Sequence, residues 1–474
     1  MTDASEQGGQ RRPNILFVMS DEHAPMLSGT YGHPRVRTPN LNALAADGVV
    51  FDNAYCNSPI CVPSRMSLLT GRYASNVDAF DLASELRTDA VTYAHLLRAA
   101  GYDVVLAGKQ HFAGPDKLHG FRAQLSRDMH EHEHPLLPWP DDEPREAPWR
   151  HPLEAGCGRS EVIEVDDETE AASIAYLRQN AGSHQPWMLC VSFIAPHWPY
   201  VVPEPYWSEY YPNVDVPHVT EEEVSRMHPA LQRLRRRLGV HEYTEKQTRA
   251  ARAAYYGMVT QLDERIGRLL AMLADTGADQ ETVVIYTSDH GGMMGEHGLW
   301  RKMNFYEAAV RVPLIVKDPR LEDRGRRISE VVSLVDLTVG IADVAGTGFP
   351  GVVDGRSLFE LVRGNNLETP WHDTAFSEYL AHGVARPLAM LRQGRYKLTA
   401  YVGEGYELYD VEADPDERLN LWGDPQHAQV AAQLQGRLAE TWDGEEVERR
   451  VLASQRDRLL IRAAVGAPRG VEAG

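Results

Sequence analysis

Short apolar or β-branched runs punctuate the chain: NILFVMS (14–20), YDVVLAG (102–108), WMLCVSFI (187–194), TVVIYTS (282–288) and VPLIVK (312–317). They read as strands buried on both faces rather than strands with one wet side. Between them, apolar positions recur at helical spacing in TPNLNALAADG, VTYAHLLRAAG, TEAASIAYLRQN and AAYYGMVTQLDERIGRLLAMLADTG, the last two running out near Asn or Gly as helices do. Strands alternating with amphipathic helices predict an α/β fold, a large doubly wound mixed sheet flanked by helices. Ligands of such a sheet bind at the carboxyl ends of its strands.

Two regions depart from this pattern. Residues 128–160 are rich in Pro, acid and His and predict a long loop or lid. From about residue 371 the pattern becomes short strands with turns, in TAFSEYL, LAMLRQGRYKLTAY and YELYDVEADPDE, followed by a helix-rich stretch. That change predicts a smaller C-terminal antiparallel sheet with a helical tail, packed on the main sheet. The expected division is a catalytic α/β domain over 13–370 and a C-terminal subdomain over 371–474.

Length and composition narrow the classes. A chain of 474 residues can build one large α/β domain with an appendage. Its formal net charge of −20 opposes non-specific contact with nucleic acid or an anionic membrane, so an anionic ligand must be attracted locally. No apolar run approaches the length of a membrane span, and MTDASEQGGQRRPNILF lacks the apolar core of a secretory signal. The expectation is a cytoplasmic protein without nucleic-acid or membrane partners. Cys56, Cys61, Cys157 and Cys190 are too sparse for a disulfide scaffold and lack paired zinc spacing.

Chemistry-bearing residues gather where four predicted strands end. MSDEH supplies Asp21 and Glu22, AGKQHF supplies Lys109 and His111, IAPHWPY supplies His197, and TSDHGGMMGEHGLWRK supplies Asp289 and His290, with Lys302 farther on. Strand ends converge in an open α/β sheet, so these residues are expected to share one crevice. Each alone has a plain structural account: an Asp-His pair can cap a helix, Lys109 can be solvated, His197 can pack in a loop, and Cys61 can be an inert small hydrophobe. Their joint occurrence is harder to explain that way. Cys61 and Arg65, at i and i+4, share one face of a helix predicted over 63–70, at the end that favours anions. HEHEH (130–134) invites a transition-metal reading, although alternating His in an acidic, Pro-rich loop reads first as solvated.

CVPSRMSLLTGR (61–72) resembles the signature of type I sulfatases, Cys-x-Pro-Ser-Arg followed by Thr-Gly-Arg. The likeness covers nearly the whole chain. PNILFVMSDEH, GYDVVLAGKQHF, APHWPY and VIYTSDHGGMMGEHGLWRK resemble the family's opening strand, Lys-x-His segment, Pro-His-x-Pro element and second metal segment. TYAHLLRAAGYDVVLAGKQHFAGPDKLHGF, SEY (377–379), GRYKL and SQRDRLL are similar to choline sulfatase and its bacterial relatives.

The resemblance implies an alkaline phosphatase/sulfatase-like fold and a set of roles. A formylglycine-generating enzyme would read Pro63 and Arg65 and oxidise Cys61, whose hydrated aldehyde becomes the nucleophile. A geminal diol keeps a second hydroxyl that can expel sulfate, whereas a serine-like oxygen would hold it as a stable ester. The resemblance further implies that Asp21, Asp289, His290 and modified Cys61 bind a divalent metal, with Ca²⁺ favoured by oxygen donors and Mn²⁺ its rival on account of His290. Arg65 would support the diol. Lys109, His197 and Lys302 would hold sulfate and the departing alkoxide, and His111 would be the base. The implied substrate is a small organic sulfate ester, with phosphonate monoesters or phosphodiesters as the alternative, a non-catalytic anion-binding relative as a third reading, and a homo-oligomer as the assembly. The chain departs from the family in places. Many members carry Asn or another residue where His290 stands and an acidic pair where Ser20, Asp21 and Glu22 lie, leaving the role of Glu22 open. Leu82, in FDL, stands near the position where choline sulfatases carry Asn; Trp139, Trp149 and Glu378 could supply the aromatic faces or acid that a quaternary ammonium needs, with ordinary loop packing an equal alternative.

Overall fold

In the computed structural model, residues 12–129, 153–364, 367 and 369–465 are described. The main sheet is carried by β1 (Asn14–Ser20), β2 (Val49–Tyr55), β3 (Asp103–Gly108), β4 (Trp187–Ser192), β5 (Thr282–Ser288), β6 (Leu314–Lys317) and β7 (Arg326–Ser333). Their order is β7-β2-β6-β5-β1-β4-β3. β1 runs parallel to both β4 and β5, while β6 runs antiparallel to β5 and β2 and makes the sheet mixed. Two short pieces complete it: Ala123–Gln124 beside β3, and Arg311–Val312, which continues the line of β6 along β2 on the far side of Pro313. Proline has no N–H to give the ladder, so the line breaks there. Every residue of β1, β4 and β5 is buried, which is why their sequences run apolar instead of alternating.

Helices α1 (Pro39–Ala46), α4 (Glu161–Asn180) and α5 (Glu245–Asp275) form one contacting group, and α2 (Cys61–Thr70), α3 (Tyr93–Ala99) and α6 (Leu334–Val344) form a second. Both long helices begin earlier than their apolar stripes. Thr244 caps α5 in a box with Gln247, and α4 opens with Glu161 and Glu164 at its positive end. Two strands had no apolar run to betray them: β2 carries Asp52 and Asn53 at its centre, and β7 is a half-exposed edge strand with a bulge between Ile328 and Val331.

The expectation of a loop throughout 128–160 is corrected at Ala155–Cys157, which forms a short strand parallel to Tyr200–Val202. His130 to His134, Trp139 and Trp149 lie outside the described residues.

The chain then builds a separate antiparallel sheet in chain order, β8 (Thr374–Tyr379), β9 (Leu388–Gln393), β10 (Tyr396–Tyr401) and β11 (Gly405–Asp410). The turn between β9 and β10 uses Gly394 at φ 52, a conformation that costs glycine little. Helices α7 (Ala428–Thr441) and α8 (Gly444–Val465) follow. Fully buried Lys397 on β10 ties the small sheet to the rest, its Nζ 2.8 Å from Glu307 Oε1, 2.6 Å from Glu417 Oε1 and 2.7 Å from the Phe305 carbonyl. A buried ammonium persists only when paired in this way. Among the described residues no helix is long and apolar enough to cross a membrane.

Candidate functional site

β1, β3, β4 and β5 are neighbours in the sheet, so the residues just past Ser20, Gly108, Ser192 and Ser288 emerge side by side. The N-terminus of α2 meets them there. Ile60 is extended before the helix, Pro63 sits in the first turn where its missing N–H is not needed, and Gly71 closes the helix in the left-handed region. All ten residues of α2 are buried, Cys61 and Arg65 included.

Arg65 organises the site. Its Nε donates to Asp289 Oδ2 at 2.8 Å and its Nη2 to Asp21 Oδ2 at 3.1 Å, while Nη1 donates to the Lys109 carbonyl at 2.7 Å and to Ser192 Oγ at 2.9 Å. Lys109 Nζ adds a contact of 2.5 Å to Asp21 Oδ2. The Oδ2 atoms of both carboxylates are thereby occupied; Asp21 Oδ1 faces residue 61, and Asp289 Oδ1 accepts from the His290 N–H at 2.9 Å. Cys61 Sγ lies 3.8 Å from Asp21 Oδ1, 3.3 Å from His290 Nε2 and 3.8 Å from Lys109 Nζ. His290 Nε2 is 3.7 Å from Asp21 Oδ1 and 3.7 Å from Asp289 Oδ1. Because His290 Nδ1 faces the Gly291 carbonyl at 2.8 Å, Nε2 is the nitrogen presented to the cluster.

Asp21, Cys61, Asp289 and His290 each offer an atom within 4.8 Å of the others. Edges of 3.3 to 3.8 Å are what donors about 2.0–2.6 Å from one common ion span. The electrostatics agree. Burial opposes charge on His290, yet Asp289 and the neighbouring thiol lift its pKa to about 9. Burial would likewise raise the Asp21 carboxyl, but Lys109, His197, Lys302 and Arg65 hold it well below the ordinary range. Burial opposes the charge of Lys109 and Lys302 too, and adjacent anions hold both above the usual lysine value. The donor set draws positive charge to its centre, as a cation site must.

Lys302 and His197 stand beside this cluster, both acting electrostatically on Asp21, while His111 follows Lys109 on the same turn. Lys302 Nζ is 2.7 Å from Glu22 Oε2, and His197 Nε2 is 3.6 Å from the same oxygen, with His197 Nδ1 2.6 Å from the Trp198 carbonyl. His111 is buried just past β3 with φ 60, and its N–H donates to Asp128 Oδ2 at 2.6 Å. Asp128 also takes the Gln110 N–H at 2.8 Å and so pins the turn that carries Lys109 and His111. Asp128 had no sequence signal. Ser192, which anchors Arg65, was marked only by ending a strand. Glu378 does not serve the role expected of it: it is fully buried, accepting from the Ser75 N–H at 2.7 Å and from Trp442 Nε1 at 3.0 Å, with no face for a quaternary ammonium.

The chain matches the family model described as Sulfatase over residues 13–347, and a model described as N-sulphoglucosamine sulphohydrolase, C-terminal, over 295–443. It is 35% identical to a choline-sulfatase of Rhizobium meliloti over 96% of this chain and 91% of that one. With an arylsulfatase K of Bos taurus it shares 29% identity over 87% and 80%. A solved phosphonate monoester hydrolase from Silicibacter pomeroyi superposes with a TM-score of 0.76 at 28% identity, covering 90% of this chain and 95% of that one. The chain therefore belongs to the sulfatase family. It is a sulfuric ester hydrolase, and the family implies a divalent metal and a formylglycine made from the signature cysteine.

Proposed function

We propose that the protein hydrolyses a small organic sulfate ester to its alcohol and inorganic sulfate, with residue 61 acting after conversion to formylglycine by a formylglycine-generating enzyme. The observation that carries this reading is the ring of Asp21, His290 and Lys109 within 3.8 Å of Cys61 Sγ, the atom that stands where an oxygen of the modified residue would be. Asp21, Asp289, His290 and residue 61 would hold the divalent cation. When bound, it supplies Lewis acidity toward a hydroxyl of residue 61 and toward ester oxygens. Calcium is the proposed ion on the oxygen donors, with Mn²⁺ the alternative on His290.

Arg65 acts as a positioning residue, aiming both Oδ1 atoms. Lys109 and Lys302, each electrostatically coupled to residue 61, hold the transferring group in place. His197, the most open of the group with 18% of its side chain exposed, faces the leaving alcohol and protonates it from Nε2. His111 takes the proton from residue 61, and His111→Ala slows turnover by about 10²- to 10⁴-fold.

The second reading is a phosphonate monoester or phosphodiester hydrolase, favoured by His290 in the cluster and by the Silicibacter pomeroyi structure. One aryl leaving group presented on sulfate and on phosphonate, to enzyme whose residue 61 conversion is verified by peptide mass, tests both. Faster sulfate release supports the first reading. Faster phosphonate cleavage, or full turnover with an intact thiol, overturns it. Choline is the alcohol named for the Rhizobium meliloti relative. Against it here stands the enclosed Glu378, whose carboxylate is taken up by the Ser75 N–H and Trp442 Nε1.

The proposal keeps the division at 370/371, supported by the separate sheet β8–β11. A homo-oligomer is supported by exposed Leu459, Leu460 and Ile461 on α8, and a cytoplasmic location by the exposed free Cys157.

A further inference from the structure

Glu22 is a carboxylate to which the roles above give no task. It is fully buried, with Oε2 2.7 Å from Lys302 Nζ and 3.6 Å from His197 Nε2, and with Oε1 accepting from Tyr200 OH at 3.4 Å. The backbone is built to place it there. Its φ is 68, in a region where a non-glycine residue is uncommon. Its N–H donates to Asp289 Oδ1 at 3.3 Å, and its carbonyl accepts from Tyr255 OH at 2.7 Å. Gly292 leaves the room, since a Cβ there would fall 2.6 Å from Glu22 Cγ. Lys302, assigned to the transferring group, and His197, assigned to the leaving alcohol, therefore both face an acid from the protein itself.

This acid changes the charge of the pocket. Asp21, Glu22 and Asp289 stand against Arg65, Lys109 and Lys302, all buried. Without Glu22 the same pocket would carry one more positive charge. With the divalent cation of the proposed reading added to these side chains the site keeps a positive excess, and Glu22 lowers that excess by one charge, which limits how much negative charge a ligand can bring.

We propose that Glu22 is a charge selector: by neutralising Lys302 it tunes the site to esters whose transferring group carries a single negative charge, against doubly charged phosphate monoesters. The inference rests on the hydrolase reading above and deepens it. Sulfate monoesters, phosphonate monoesters and phosphodiesters all pass this filter, so Glu22 sets charge rather than the central atom.

The test uses the converted, metal-loaded enzyme and two tetrahedral anions of similar shape, phenylsulfonate and phenylphosphonate, followed by calorimetry. In the wild type, phenylphosphonate affinity falls as pH rises and its second proton leaves, while phenylsulfonate affinity does not follow. Glu22→Gln keeps the shape and removes the charge, and it shifts relative affinity toward doubly charged phenylphosphonate by about tenfold or more. The ratio of kcat/KM for p-nitrophenyl phosphate to that for p-nitrophenyl sulfate rises in parallel. Glu22→Asp, which retains the charge, keeps the wild-type preference. Equal losses for both ligands in Glu22→Gln would make Glu22 only a prop for Lys302 and overturn the proposal, as would loss of bound metal from that variant by elemental analysis. A wild type that cleaves no sulfate ester sinks the preceding reading, whereas unchanged ratios in an active enzyme sink only this one.

Discussion

Arg65 Nε donates to Asp289 Oδ2 at 2.8 Å, and both side chains are fully buried. The same guanidinium reaches Asp21 Oδ2, so one planar fork sets the direction in which two carboxylates present their Oδ1 atoms. Lysine has one nitrogen in place of this fork and cannot reproduce its contacts to Asp289, Asp21, the Lys109 carbonyl and Ser192 together. Arg65→Lys keeps the charge but loses the fork and is expected to weaken Ca²⁺ binding, whereas Arg65→Met strands two buried carboxylates and is expected to destabilise the fold by about 3–5 kcal/mol. A denaturant midpoint measures the loss, and titration of Ca²⁺ binding measures the misaimed Oδ1 atoms.

Removing the cation should have its own signature. A ligand that binds only the folded protein stabilises it in proportion to the logarithm of its concentration, about 2.7 kcal/mol at a hundredfold excess over Kd. Chelation of the holoenzyme is expected to lower Tm, and Ca²⁺ to restore it in a concentration-dependent way, by scanning calorimetry. A Tm indifferent to chelator and Ca²⁺ would exclude Asp21, Asp289 and His290 as a cation site.

Glu378 predicts a pH dependence unrelated to catalysis. Burial pushes its carboxyl up to about 7 from an ordinary 4.5, against the pull of Ser75 and Trp442. Its folded form therefore holds the proton more tightly than the unfolded chain does. The resulting stability is full below about pH 4.5, declines through the interval and is lost above about pH 7, a change of about 3 kcal/mol. Glu378→Gln removes this slope, so wild type and variant should diverge in unfolding free energy between pH 5 and about pH 8.

The tail contributes a clamp. Arg458 on α8 donates to both oxygens of Asp81, at 2.7 and 2.6 Å, and Asp81 is fully buried. Asp81 also accepts from the Ala83 N–H at 3.0 Å, so the ion pair holds the turn around Leu82. Arg458→Ala is expected to cost about 1–3 kcal/mol by leaving a buried acceptor unpaired. Amide exchange over residues 78–84 should rise with it. Adding Asp81→Asn to the variant should recover part of the loss.

The sequence alone determined the buried strands β1, β3, β4 and β5 and the helices between them, because strands covered on both faces must be apolar throughout. It also pointed to the residues proposed for the site, since strand ends in such a sheet face one crevice and α2 carries its signature in contiguous residues. Other features came only from the fold. β2 and β7 lie where burial depends on neighbours supplied by distant segments, and no local pattern encodes that. Ser192 as the anchor of Arg65 and Asp128 as the pin of the Lys109–His111 turn became visible only in three dimensions. The pairing of Glu22 with Lys302, residues 280 positions apart, likewise exists only because the segment following β5 folds back over the end of β1. Local sequence dictates what each side chain can do, but partner, distance and dielectric are properties of the packed molecule.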